Sequence, residues 1–224
     1  MRSIASGERA RISMRFFKTG KGQYGEGDKF LGIAVPDMRR IVKKYRDASR
    51  EDLPVFLHSK FHEERLFALL VLVDQFASGE EKAKKEIFDI YLNNTKYINN
   101  WDLVDLTADR IVGAYLENRS KNILLKLSKS KLLWERRIAI LATFHFIKKG
   151  ESEWTLKIAE RLLNDKEDLM HKAVGWMLRE VGKRCSEDIE CVFLDKHFKK
   201  MPRTTLRYAI ERFEQKKRKS YMEK

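Results

Sequence analysis

Residues 64–70 read Glu-Arg-Leu-Phe-Ala-Leu-Leu, and residues 135–141 read Glu-Arg-Arg-Ile-Ala-Ile-Leu, the same Glu-Arg-x-x-Ala-x-Leu frame. A weaker copy, His171-Lys172-x-x-Gly175-x-Met177, follows. The basic position steps from 65 to 136, which is 71 residues, and then to 172, which is 36. Because 71 is about twice 36, another copy is expected near 101 and a last one near 207, where Trp101 and Arg207 stand. A period of about 35 residues with a helix pair per unit is the signature of a stacked α-solenoid of the HEAT type. The frame is degenerate, and a helical bundle also fits it.

The rest of the chain agrees with an all-α fold. Phe61–Ser78, Glu80–Asn93, Trp101–Asn118, Leu133–Lys149, Glu153–Asn164, Leu169–Arg184 and Thr204–Phe213 place apolar residues at steps of three and four. Ser49, Ser152 and Ser186 precede acidic first turns as N-caps do, and Pro36 and Pro202 stand where first-turn prolines are tolerated. No alternating strand pattern of useful length occurs. The segment Gly20-Lys-Gly-Gln-Tyr-Gly-Glu-Gly27 contains Gly-x-Gly-x-x-Gly, but no strand precedes it and no acidic residue closes a βαβ unit. It reads as a flexible connection rather than a dinucleotide loop.

Composition narrows the function. The 224 residues hold 47 Lys plus Arg against 33 Asp plus Glu, a net charge of +14, with 43% hydrophobic residues and only three Pro. That is enough apolar material for a core, and the charge asks for a polyanionic partner: DNA, RNA or an anionic lipid surface. The longest apolar run, Leu66–Val73, is closed by Asp74, far short of a membrane span. The basic start lacks an apolar leader segment, and two cysteines, Cys185 and Cys191, make no disulfide or zinc framework, so a reducing, cytoplasmic setting is expected. The histidines are scattered; His58 and His62 are four apart but lack a third ligand, so neither a metal site nor a cofactor is expected.

The chemistry-bearing stretch is Asn99-Asn-Trp-Asp-Leu-Val-Asp105. Trp101 and Asp105 are one helical turn apart and fall about 40° from each other on one face, with Asp109 a further turn along. Trp101 alone reads as a core aromatic and Asp102 as an acid favoured by a helix N-terminus. Asp105 between Val104 and Leu106 needs a partner or a purpose. In the repeat frame Trp101, Asp105, Arg137 and Trp176 take offsets 0, +4, +1 and +4, so a solenoid is expected to bring them to one groove. Arg39 and Arg40 (with Lys43 and Lys44), then Lys148, Lys172, Arg179 and Arg207, are the basic residues expected to meet phosphates.

Four motifs in order carry a resemblance: Lys29-Phe-Leu-Gly-Ile33 with Pro36-x-x-Arg39; Asn100-Trp-Asp-Leu-Val-Asp105; Trp134-Glu-Arg-Arg-x-Ala-Ile140; and Lys172-Ala-Val-Gly-Trp-Met-Leu-Arg-Glu180. Together they resemble the AlkD family of bacterial DNA alkylation repair glycosylases. The resemblance implies a right-handed α-solenoid of HEAT-like repeats, a single domain over residues 1–213 whose concave basic groove holds duplex DNA. Residues 214–224 would follow as a basic, frayed tail. It implies hydrolysis of the N-glycosidic bond of N3- or N7-alkylated purines such as 3-methyladenine and 7-methylguanine, without flipping the base. Asp105 then matches the catalytic carboxylate, Trp101 and Trp176 the aromatics packed on deoxyribose, and Arg137 the backbone-contacting arginine. Tyr24, in a Gly-rich loop that departs from the family pattern, would be a further DNA-facing residue. The expected partner is duplex DNA containing alkylated purines, with no membrane, no obligate protein partner and a monomeric chain. The alternative is a catalytically inactive solenoid that binds duplex or branched DNA.

Overall fold

The computed structural model describes residues 1–223, all helix and loop. In order the helices are α1 (Gly7–Phe16), α2 (Val35–Lys44), α3 (Leu53–Leu57), α4 (His62–Ser78), α5 (Glu81–Asn93), α6 (Trp101–Asp105), α7 (Asn122–Leu127), α8 (Leu133–Ala142), α9 (Phe144–Ile147), α10 (Glu153–Leu162), α11 (Asp168–Arg184), α12 (Glu187–His197), α13 (Arg203–Ala209) and α14 (Gln215–Glu223). Among the described residues the only extended pairing is an isolated bridge between Lys29 and Phe61. The fold is all-α, as the periodicity requires, and is consistent with an α-solenoid of repeats. The chain forms two compact units, Met1–Ile111 and a second beginning at Val112.

The repeated frame has a structural cause that recurs at all three copies. Arg65 Nη1 donates to the Ser59 carbonyl (2.9 Å), Arg136 Nη1 to the Ser130 carbonyl (3.0 Å), and His171 Nε2 to the Asp165 carbonyl (2.6 Å), each six residues back. The side chains at those same earlier positions, Ser59, Ser130 and Asp165, each accept the backbone N–H two residues on at 3.0 Å. The basic residue therefore ties down the turn that leads into its helix, satisfying carbonyls that would otherwise be orphaned. In the third copy His171 does this, one place before Lys172.

In the second unit α8, α11 and α13, consecutive copies of the frame, pack one on the next. Their close approach depends on glycine. A Cβ on Gly175 would lie 2.4 Å from the Thr205 carbonyl oxygen, and one on Gly113 would lie 2.2 Å from that of Ala142. In the first unit α4 is central, packing against α2, α3, α5 and α6. Its apolar run Leu66–Leu69 and Val71–Val73 is buried, as is most of the helix.

Three helical spans differ from the expected ones. The Trp101–Asn118 stretch is not continuous: α6 ends at Asp105, and Asp109–Gly113 is a π-helical turn. That extra residue per turn shifts the register, so Asp109 is buried rather than on the Trp101–Asp105 stripe. Leu133–Lys149 breaks at Thr143, whose hydroxyl donates to the Ile140 carbonyl at 2.6 Å. Ser49 caps only a turn, through Glu51 N–H, and α3 starts at Leu53, whereas Ser186 caps α12 through Asp188 and Ile189. The tail expected to fray is instead helical. Tyr221 is buried, stacks near Phe213 and Phe198 at 5.8 and 6.0 Å, and donates to Asp195 at 2.9 Å. One aromatic anchor inside the basic run supplies the burial that its charge conceals.

Candidate catalytic and nucleic-acid site

α6 is short, and its orientation is fixed from below. Leu103 and Val104 are fully buried, which turns Trp101 and Asp105 to the opposite, half-exposed face. The helix begins at Asn100, itself wholly buried, whose side-chain oxygen accepts Trp101 N–H at 2.8 Å and whose Nδ2 donates to Asp28 at 3.4 Å. Behind α6, the Tyr91 hydroxyl meets the Thr107 hydroxyl at 2.9 Å. Burial pushes the Tyr91 hydroxyl well above its ordinary range, and it stays neutral.

The strongest electrostatic feature lies beneath Trp101. His62, the first residue of α4 and 2% exposed, places Nε2 2.7 Å from Asp102 and Nδ1 3.1 Å from Asp28. Both ring nitrogens therefore face carboxylates, and both donate. Burial alone would push the imidazole down, but hydrogen bonds and charge from Asp102 and Asp28 raise its pKa to about 9, so it is a cation at neutral pH. Burial likewise opposes ionisation of Asp28, but His62 and Arg65, which also bonds it, hold its carboxyl below the usual range. The imidazole stacks on Phe30 (4.6 Å), Phe30 on Phe17 (5.1 Å) and Phe17 on Trp101 (5.4 Å). A continuous aromatic pile thus links the buried cation to the half-exposed indole.

The same helix start explains the Lys29–Ile33 motif. The Glu63 carboxylate accepts N–H from Leu31 and Gly32 at 2.8 Å each and from Ile33 at 3.3 Å. Gly32 has φ +73° and passes so close to α1 that a Cβ would lie 2.1 Å from the Ser6 carbonyl oxygen. Lys29–Ile33 is therefore a clamp holding α1, α4 and the loop behind Trp101 together. The Gly20–Gly27 segment, read as flexible, is pinned by Gly20 N–H to Gln23 (2.9 Å), Gly22 N–H to Glu26 (2.7 Å) and the half-buried Tyr24, whose hydroxyl donates to the Phe16 carbonyl (3.5 Å).

In the second unit Arg137 is 5% exposed on α8, with Nη1 donating to the Leu169 carbonyl at 2.6 Å. Trp176 on α11 is half-exposed, with its ring 6.0 Å from Phe144. The basic residues fare differently. Arg39 and Arg207 are exposed, and Lys148 lies 5.0 Å over the Phe144 ring. Arg40 is exposed and paired with Asp37, and Lys172 pairs with Asp168 at 2.7 Å. Arg179 is mostly covered and directed to Glu211. Sequence reasoning missed His62 and Asp28. The available signal was His62-Glu-Glu-Arg65, four buried ionisable residues directly ahead of the longest apolar run. Among the described residues no three His, Cys, Asp or Glu side chains are grouped to hold a metal ion, and no helix is long and apolar enough to cross a membrane.

Comparison with known proteins places this geometry. A predicted DNA alkylation repair enzyme from Enterococcus faecalis shares the fold, with a TM-score of 0.72 at 15% identity, over 94% of this chain and 97% of that one. No curated protein matches the chain. The family profile described as DNA alkylation repair enzyme matches residues 1–213, a span that takes in α6, the His62 cluster, Arg137 and Trp176. The chain therefore belongs to the DNA alkylation repair enzyme family.

Proposed function

We propose that the protein is a monofunctional DNA N-glycosylase that removes N3- and N7-alkylated purines from duplex DNA without base flipping. The observation that carries this reading is α6: it sets an indole and a carboxylate on one half-exposed face and is braced by a buried cation and an aromatic pile. Alkylation at N3 or N7 puts a positive charge on the purine. When the C1′–N bond breaks, its electron pair neutralises the purine, and positive charge develops on the deoxyribose. Asp105 stabilises that oxocarbenium-like sugar and orients water, whose oxygen bonds C1′ while a proton leaves to the carboxylate or solvent. Trp101 and, by resemblance, Trp176 offer π-faces to the same cation, each worth on the order of 0.5–2 kcal/mol. Arg137 takes the backbone role by the same resemblance.

Because the lesion is itself the activated leaving group, the reaction asks for no deep base pocket. Release of 3-methyladenine and 7-methylguanine from methylated duplex is the test, run with wild type beside Asp105→Asn. The expected result is excision by wild type and its loss in the variant with duplex affinity retained. Duplex binding without any release by wild type would replace this reading with that of a DNA-binding scaffold.

A further inference from the structure

We propose that the C-terminal end of α1, Phe16 with Ile12, is a second duplex-DNA contact that extends the aromatic surface begun by Trp101. Phe16 is 63% exposed and Ile12 59%, and the two stand one turn apart on α1 with Arg9 a turn earlier on the same stripe. Phe16 is not loose. Its ring meets Trp101 edge-on at 5.9 Å and Phe17 at 5.0 Å, and its carbonyl receives the Tyr24 hydroxyl. A phenyl ring held in water beside a half-exposed indole has no folding purpose that burial inside the unit would not serve better.

Charge chooses the occupant. Between Gly7 and Gly27 the chain carries five basic residues, Arg9, Arg11, Arg15, Lys18 and Lys21, against Glu8 and Glu26. All five basic residues are exposed. Two apolar side chains cover far less than the roughly 800 Å² per partner of a stable protein interface. An apolar ring within a cationic collar suits a polyanion with exposed sugar and base edges. Phe and Ile are side chains that wedge against such edges in the minor groove, while flanking cations take phosphates. The location of DNA at Trp101 rests on the function proposed above; the apolar and basic character of α1 does not.

The test is fluorescence anisotropy of a methylated and an unmodified duplex with wild type, Phe16→Ala, Phe16→Tyr and Ile12→Ser, alongside thermal melts. Phe16→Ala should weaken binding to both duplexes about 10-fold, within the range found for aromatic contacts to bases. Its salt dependence should be unchanged, because no charge is lost. Phe16→Tyr should restore affinity, Ile12→Ser should reproduce the loss in smaller measure, and all melts should coincide with wild type. Wild-type affinity in Phe16→Ala, or equal loss in Phe16→Tyr, overturns the assignment. So does a loss in Phe16→Ala confined to binding of anionic phosphatidylglycerol vesicles, which would make the face a membrane contact. If wild type releases no methylated purine but Phe16→Ala still weakens duplex binding, the contact stands and the glycosylase reading falls.

Discussion

Replacing His62 by Gln tests the electrostatic foundation of α6. In the folded chain the imidazole is held cationic with a pKa of about 9, against 6.5 when unrestrained. That difference corresponds to about 3 kcal/mol of preference for the charged form. The contribution is complete below pH 6.5, where folded and unfolded chains both carry the proton, and is lost as pH rises from 6.5 toward 9. Gln keeps one hydrogen bond but removes the cation, leaving Asp28 to Arg65 alone and Asp102 bare, so His62→Gln should cost about 3–5 kcal/mol. Urea unfolding at about pH 6 and about pH 9.5 measures both effects. Wild type should lose stability between the two, and the variant should lose about 3 kcal/mol less. Glu190, raised to about 8 from 4.5 by burial and by the Glu187 charge, destabilises the fold in the same direction as pH rises through 4.5–8. Subtracting the variant from the wild type removes that common slope. Equal slopes, or an imidazole NMR titration near its ordinary value, would refute the charged sandwich.

Glu190→Gln should stabilise the fold by a few kcal/mol above pH 8, because it abolishes an ionisation that its buried position resists; chemical denaturation at two pH values shows it. Gly175→Ala should lower the melting temperature by several degrees, since the new methyl would sit 2.4 Å from the Thr205 oxygen and force α11 from α13; an unchanged melt would contradict that packing. Arg136→Ala removes a fork to Asp165 at 2.6 and 3.2 Å together with two carbonyl contacts, and should cost about 3–5 kcal/mol. The exposed Arg40→Ala should change unfolding by under about 0.5 kcal/mol.

Helical content was legible because apolar spacing is a local property. So were the repeat frame and the Trp101–Asp105 face, since both depend on counting along one chain. The break after Asp105 was not: a π-helical turn at Asp109–Gly113 changes the count itself, and Gly113 within it approaches the Ala142 carbonyl too closely for any side chain. The tail's helix was hidden because one buried Tyr221 outweighs a run of exposed charge.

By itself the sequence determined an all-α chain, its period and the residues that carry the chemistry, because helix faces follow from spacing alone. Only the tertiary structure decided what the repeated basic positions do, and why His62 is charged. Arg65, Arg136 and His171 look like surface charge in one dimension, but each closes the turn before its helix. Asp28 and Asp102 stand 34 and 40 residues from His62, and only folding brings both carboxylates against one ring from which water is excluded. Desolvation and proximity set that protonation state, and neither exists until the chain has folded.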